Sequence, residues 1–183
     1  MATAFETFVR TVNALTREAP PEVELIDEVA AELARLNASG RWLPESARQP
    51  CTERYMQHVL HVAPDSSFSV VSLVWTQGQS TSIHDHAGWG VVGVYEGLER
   101  ETRYRLEGHG PERHLTVTGV TILRPGETTA FVADGLDIHR VDNPADAGPT
   151  ISIHVYGVDV RARGTSIKNS FDHLPVVEKT LSR

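Results

Sequence analysis

The sequence predicts an all-β fold, either a small barrel, a jelly roll or a sandwich, carrying a helical segment at its N-terminus. Three observations predict it. From about residue 53 the chain breaks into short β-branched and aromatic runs, turn residues punctuate those runs, and only residues 1–38 show apolar spacings of three and four.

Two helices are expected first. Phe5, Phe8, Val12 and Leu15 share one helical face, as do Val23, Ile26, Val29, Ala30 and Leu33, and Pro20-Pro21 separates the two groups. Pro21 suits a first helical turn, Glu22 and Glu24 favour the positive end of the helix dipole, and Asn37-Ala38-Ser39-Gly40 is a stop signal. The strand runs follow: MQHVLHV, FSVVSLVW, VVGVYEG, ETRYRL, HLTVTGVTIL, TAFVA and TISIHVYGV. Breaks such as Ala63-Pro64-Asp65, Glu96-Gly97, Pro125-Gly126 and Asn143-Pro144 lie between them, with no long helical pattern intervening. The segment from Asp159 onward follows no period and is left unassigned.

Composition narrows the function. A length of 183 residues fits one domain, and 40% hydrophobic with 22% charged residues supports a folded core. Twenty-four acidic against 17 basic residues give a net charge of −7 with no Lys/Arg block, so a nucleic-acid partner is not expected. No apolar stretch approaches the length of a membrane span, and the opening MATAFETFVRTVNAL lacks the pattern of a signal peptide, which predicts a soluble, cytoplasmic protein. One cysteine, Cys51, excludes an internal disulfide and every multi-cysteine metal site within the chain. Metal chemistry here must rest on histidine.

Of nine histidines, most have ordinary explanations. His109 and His114 belong to a Gly/Pro loop or its edge, His173 to the tail, and His58 and His61 to a strand. His84-Asp85-His86 differs, because residues i and i+2 of a strand face the same way and bring two imidazoles together with the carboxylate turned off. A second strand, Ile151 to Tyr156, alternates so that Ser152, His154 and Tyr156 share a polar face and Ile151, Ile153 and Val155 an apolar one. If that polar face looks inward, hydroxyl, imidazole and phenol can pass a hydrogen bond along the strand.

Gly78 stands six residues before His84, Gly97 follows the next strand, Gly119 stands six before Pro125, and Asn143 follows His139 by four. These spacings resemble the motifs of the cupin superfamily, whose small antiparallel barrel, a double-stranded β-helix, holds a metal with an HxH pair and a later histidine. The resemblance implies His84, His86 and His139 as metal ligands. Where many cupins add a glutamate, this chain has Gly90 and Val91, so the site would present three neutral imidazoles. Such a set leaves open positions and suits iron(II) with a thiolate and dioxygen, or zinc with a bound water. The implied organisation is a single cupin domain over 1–183, with 1–50 a helical cover, 51–160 the barrel and 161–183 a tail.

Ser82 to His86 without the cupin glutamate, His139, the strand Ser152 to Tyr156 and Tyr55-Met56-Gln57 together resemble the thiol dioxygenases, the cysteine dioxygenase family of cupins. The resemblance implies Fe(II) as cofactor, a small thiol and O2 as partners, oxidation of the thiol to its sulfinate, and Tyr156, His154 and Ser152 as the catalytic set. Gln57, in place of the arginine of animal cysteine dioxygenases, resembles the bacterial 3-mercaptopropionate dioxygenase branch. A neutral amide makes no bidentate ion pair with a carboxylate, so a cation is sought elsewhere, and Arg163, with Arg161 as the alternative, is the expected one. Val91 stands at the offset of the animal enzymes' crosslinking cysteine, so no thioether to Tyr156 is expected, and Trp89 is read as a packing residue. The open alternatives are a cysteine dioxygenase acting on L-cysteine, a zinc or manganese cupin enzyme that needs no Ser152/His154/Tyr156 face, and a non-catalytic small-molecule-binding cupin.

Overall fold

A computed structural model describes residues 2–144 and 148–177 of the chain. The end of the predicted tail, 178–183, lies outside the described residues. Helix α1 (Ala4–Glu18) starts in a reciprocal cap: Glu6 N donates to Thr3 Oγ1 at 3.1 Å and Thr3 N to Glu6 Oε2 at 2.7 Å. It ends at Ala19 in the left-handed region. In α2 (Glu22–Ala38) Pro21 caps the helix one residue ahead of the expected first turn, and the chain leaves through Ser39 and Gly40 as expected. No helix among the described residues is long and apolar enough to cross a membrane.

Eleven strands follow among the described residues: β1 (Met56–Val62), β2 (Ser69–Trp75), β3 (His84–His86), β4 (Gly90–Glu96), β5 (Glu99–Glu107), β6 (His114–Leu123), β7 (Thr128–Phe131), β8 (His139–Asp142), β9 (Thr150–Tyr156), β10 (Ile167–Ser170) and β11 (Val176–Val177). They form two sheets, ordered β1-β2-β9-β4-β7 and β10-β3-β8-β5-β6-β11. This is the all-β, double-stranded β-helix architecture with N-terminal helices that the sequence predicts.

The alternation of β9 decides how the first sheet is used. Ile151, Ile153 and Val155 point outward into a core shared with Val29 and Leu33 of α2, so the helices cover that sheet's outer face. Gly93 permits this approach, since a Cβ there would meet Leu33 Cδ2 at 2.9 Å. Ser152, His154 and Tyr156 face inward beside Leu73, Val71 and Val92, their cross-strand partners.

Two expectations change. The sequence suggests that the Ser152–Tyr156 strand lies next to that of His139, yet β8 and β9 belong to opposite sheets and face each other across the interior. Residues 160–177, which the sequence leaves unassigned, also take up regular structure. They form a single helical turn, α3 (Val160–Arg163), then β10 pairs with β3 and β11 runs parallel to β6. Asp85, turned away from the interior, anchors this return by accepting hydrogen bonds from Asn169 N at 2.7 Å and Nδ2 at 2.9 Å.

Candidate metal centre

β3 and β8 bring three imidazoles together. His84 and His86 occupy one face of β3, and His139 is directly opposite His84 across the β3–β8 pair. Each residue is 3% exposed, and their ring centroids stand 4.7 to 4.9 Å apart. One coordinating atom from each falls within 4.8 Å of the others.

The Nδ1 atoms orient the rings. His84 Nδ1 donates to the Ser82 carbonyl at 2.9 Å, His86 Nδ1 to Asp137 Oδ2 at 2.8 Å, and His139 Nδ1 to Glu101 Oε1 at 2.7 Å. With the protons on Nδ1, all three Nε2 lone pairs are bare. Two of these, on His84 and His86, are 3.1 Å apart. Bare nitrogens cannot hydrogen-bond to each other, whereas neighbouring ligands about 2.1 Å from a common cation stand at about this separation. The residues present therefore fit a divalent metal, and the acceptors behind them are the partners that orient metal-binding histidines elsewhere.

Burial keeps His84 and His86 neutral. Burial, reinforced by the other two histidines, lowers His84 to about 3, and burial, then His139 and His154, lowers His86 to about 2. Burial raises Asp137. Burial would raise Glu101 as well, but its hydrogen bond from His139 and the Arg103 guanidinium 3.1 Å away hold it below the ordinary carboxylate range.

A stability prediction follows for metal-free protein. The unfolded chain takes up protons on these two histidines near pH 6.5, where the native one does not. Stability is expected to be flat above that pH and to fall below it, by up to about 1.4 kcal/mol per pH unit for each histidine, until pH 3 is approached. Urea titrations of chelator-treated protein from pH 7 to pH 4 measure this, and a pH-independent midpoint would contradict it.

The facing wall is the β9 relay. Trp75 Nε1 donates to Ser152 Oγ at 3.1 Å, Ser152 Oγ is 2.8 Å from His154 Nε2, and His154 Nδ1 is 2.9 Å from the Tyr156 hydroxyl. Tyr156 is 5% exposed and lies nearly parallel to His86 with centroids 5.7 Å apart, and burial pushes its phenol well above the ordinary tyrosine range. Phe131 also stacks on His86, with ring centroids 4.1 Å apart.

The described residues thus unite a three-histidine cluster and a Ser-His-Tyr relay in one interior. A family model described as Cysteine dioxygenase type I matches residues 3–160. The chain belongs to the cysteine dioxygenase type I family. Over 93 residues it is 26% identical to human Cysteine dioxygenase type 1 and 27% identical to the protein of that name from Bos taurus. Each match takes in 50% of this chain and 46% of the relative, so the chain spans about half the length of these curated relatives. Among solved structures, a double-stranded beta-helix protein from Klebsiella pneumoniae aligns with a TM-score of 0.48 and 18% identity, over 67% of this chain and 88% of that one. An RmlC-like cupin from Desulfovibrio desulfuricans aligns at 0.46 and 16%, over 65% and 96%.

Within this cysteine dioxygenase family member, the remaining expected residues are dispersed. Gln57 stands on edge strand β1 opposite Leu73, on the face that carries the relay, and is exposed. Arg163 is exposed on α3, and Arg161 is exposed with its charge directed at His61 and Asp159. The structure brings neither arginine against the imidazoles or the relay.

Gly90 is directly opposite Tyr156 across the strand pair, while Val91 points outward into the helix-covered core. A Cβ at position 90 would meet the Phe131 ring at 2.1 Å, so the aromatic ring occupies the space beside the phenol. Trp89 packs in the core as expected.

Sequence reasoning missed Asp137, Glu101 and Phe131. For the two acids a signal existed: Asp137 precedes His139 by two, and Glu99 and Glu101 alternate along β5 as the histidines do along β3.

Proposed function

We propose that this protein is an iron(II)-dependent thiol dioxygenase that oxidises a small carboxylate-bearing thiol, with 3-mercaptopropionate the first choice, to its sulfinate. The observation that carries this reading is the meeting of three bare Nε2 atoms with a protonated, buried phenol on the opposite wall. His84, His86 and His139 would hold the metal. Iron(II) held there would supply the redox and Lewis-acid chemistry that a thiol oxidation by dioxygen needs.

The protein's own groups do the rest. Three uncharged imidazoles leave the metal's charge to be met by the substrate thiolate, which favours loss of the thiol proton at neutral pH. Tyr156 keeps its proton and offers it as a hydrogen bond to the reacting oxygen or to the substrate, with no covalent step of its own. His154, Ser152 and Trp75 fix the phenol's direction. Phe131, Val71, Leu73 and Val92 exclude water around the reacting atoms. Gln57, on the relay's face at the edge strand, is the amide available to a substrate carboxylate. The exposed position of Arg163 lends a carboxylate contact no support. L-Cysteine is the second substrate reading, favoured by the names of the matched relatives.

The test is a panel of thiols with iron-loaded protein under air, measuring oxygen uptake and sulfinate together. 3-Mercaptopropionate is expected to give the highest kcat/KM, with one sulfinate formed per dioxygen consumed. Faster turnover of L-cysteine would move the assignment to that substrate, equal turnover of cysteamine would remove the carboxylate from recognition, and silence with every thiol would end the dioxygenase reading. Metal analysis of protein purified without added metal separates iron from zinc or manganese.

A further inference from the structure

β3 is three residues long, and its pairing with β8 is a single pair, His84 opposite His139. One pair of facing residues is too little to fix a strand, yet a metal site requires its ligand distances to hold within about 0.2 Å. The backbone that carries His84 and His86 therefore needs a second support.

Residues 166–172, which lie beyond the stretch matched by the family model, supply it. Phe171 N donates to the Ile83 carbonyl and Ile83 N donates to Asp172 Oδ1, both at 2.8 Å. Asp85 accepts from Asn169 N at 2.7 Å and from Asn169 Nδ2 at 2.9 Å, and Ala87 N donates to the Ser166 carbonyl at 3.0 Å. Residues 83, 85 and 87 thus hold this segment, while 84 and 86, alternating with them, carry the imidazoles inward. Phe171, buried with Ile83, Leu115 and Ile138, anchors the segment without help from any metal. The hydroxyl of Ser166, itself buried, shares a hydrogen bond with the Tyr156 phenol, so the segment touches both walls of the site.

We propose that this segment is part of the metal centre and that Asn169 is a positioning residue: through Asp85 it fixes the backbone between His84 and His86, so that docking of residues 166–172 and binding of a divalent cation favour one another. A cation shared by the two rings selects one conformation of residues 83–87, and the segment selects the same one. Each must then strengthen the other by the same factor. This coupling rests on the three-histidine metal centre alone and does not depend on what the site oxidises.

Zinc titrated against a chromophoric chelator measures the coupling. Asp85→Ala, which removes both acceptors, is expected to weaken zinc binding about five- to thirtyfold, and Asn169→Ala, which removes one donor at an exposed position, to weaken it less. Asp85→Asn keeps an acceptor for Asn169 N and is expected to bind zinc nearly as wild type does; a loss as large as that of Asp85→Ala would assign the effect to charge and overturn the positioning role. The urea midpoint of metal-free Asn169→Ala should stay near that of wild type, because the Phe171 anchor is untouched. A lowered midpoint with unchanged zinc affinity would make the contact merely structural and overturn the proposal. Hydrogen exchange gives the reciprocal reading: saturating zinc is expected to slow the Asn169 and Phe171 amides of wild type, and to slow them less in Asn169→Ala. Should Asp85→Ala fail to fold, Asn169→Ala and these wild-type amides decide. Wild type that takes up no zinc would defeat the metal-centre reading and this coupling together, whereas zinc bound with no response at Asn169 and Phe171 defeats the coupling alone.

Discussion

His139→Ala is expected to abolish metal retention and, with it, all oxygen uptake. Of the three imidazoles, His139 alone comes from the second strand, so its loss leaves two donors on β3 and nothing to close the site. Structural zinc sites bind their metal with about 10–16 kcal/mol, and on that scale losing one ligand of three would remove some 3–5 kcal/mol, about two to four powers of ten in affinity. The change also strips Glu101 of the Nδ1–H bond at 2.7 Å, leaving a buried carboxylate answered by Arg103 and, at 3.5 Å, the Thr129 hydroxyl. Metal analysis after gel filtration measures the effect, and stoichiometric iron in the variant would show that His139 is no ligand. Glu101→Gln is the milder companion, expected to lower metal affinity about 10–100-fold because the acceptor behind the ring loses its charge while the ring keeps its nitrogen.

Tyr156→Phe should separate binding from turnover. The ring's parallel placement against His86 survives the change, so the variant is expected to keep wild-type iron. On the proposed function, what disappears is one donor to the reacting oxygen, a loss typically worth about 10²–10³ in kcat when the donor is preorganised. His154 Nδ1 also loses its partner, at a cost of about 1–3 kcal/mol in stability. Oxygen uptake and sulfinate measured side by side should show slower turnover, or oxygen consumed without matching product. Unchanged, fully coupled turnover would contradict the assigned role and leave the phenol a packing residue.

Much of this site could be read from local patterns. The i, i+2 spacing of His84 and His86, and of Ser152, His154 and Tyr156, is a period-2 statement, and each group does share one face. The two N-terminal helices were equally plain, because Phe8, Val12, Val29 and Leu33 repeat at helical intervals. Gln57 and Arg163 were harder: the first shares a face with the relay only at an exposed edge, and the second sits on a one-turn helix whose direction no periodicity encodes.

Which residues back those faces, and across what distance, belongs to tertiary structure. Asp137 and Glu101 reach the rings of His86 and His139 over sequence separations of 51 and 38, and Glu99 approaches His154 from the opposite sheet. Gly90, rather than Val91, faces Tyr156 because strand register decides it, and one step of register exchanges every side chain between faces. The amino-acid order by itself determined which side chains travel together on each strand, since backbone pleating makes that a property of neighbours. Only the closing of two sheets over a common interior decided which of those groups meet, because that depends on pairings made between segments far apart along the chain.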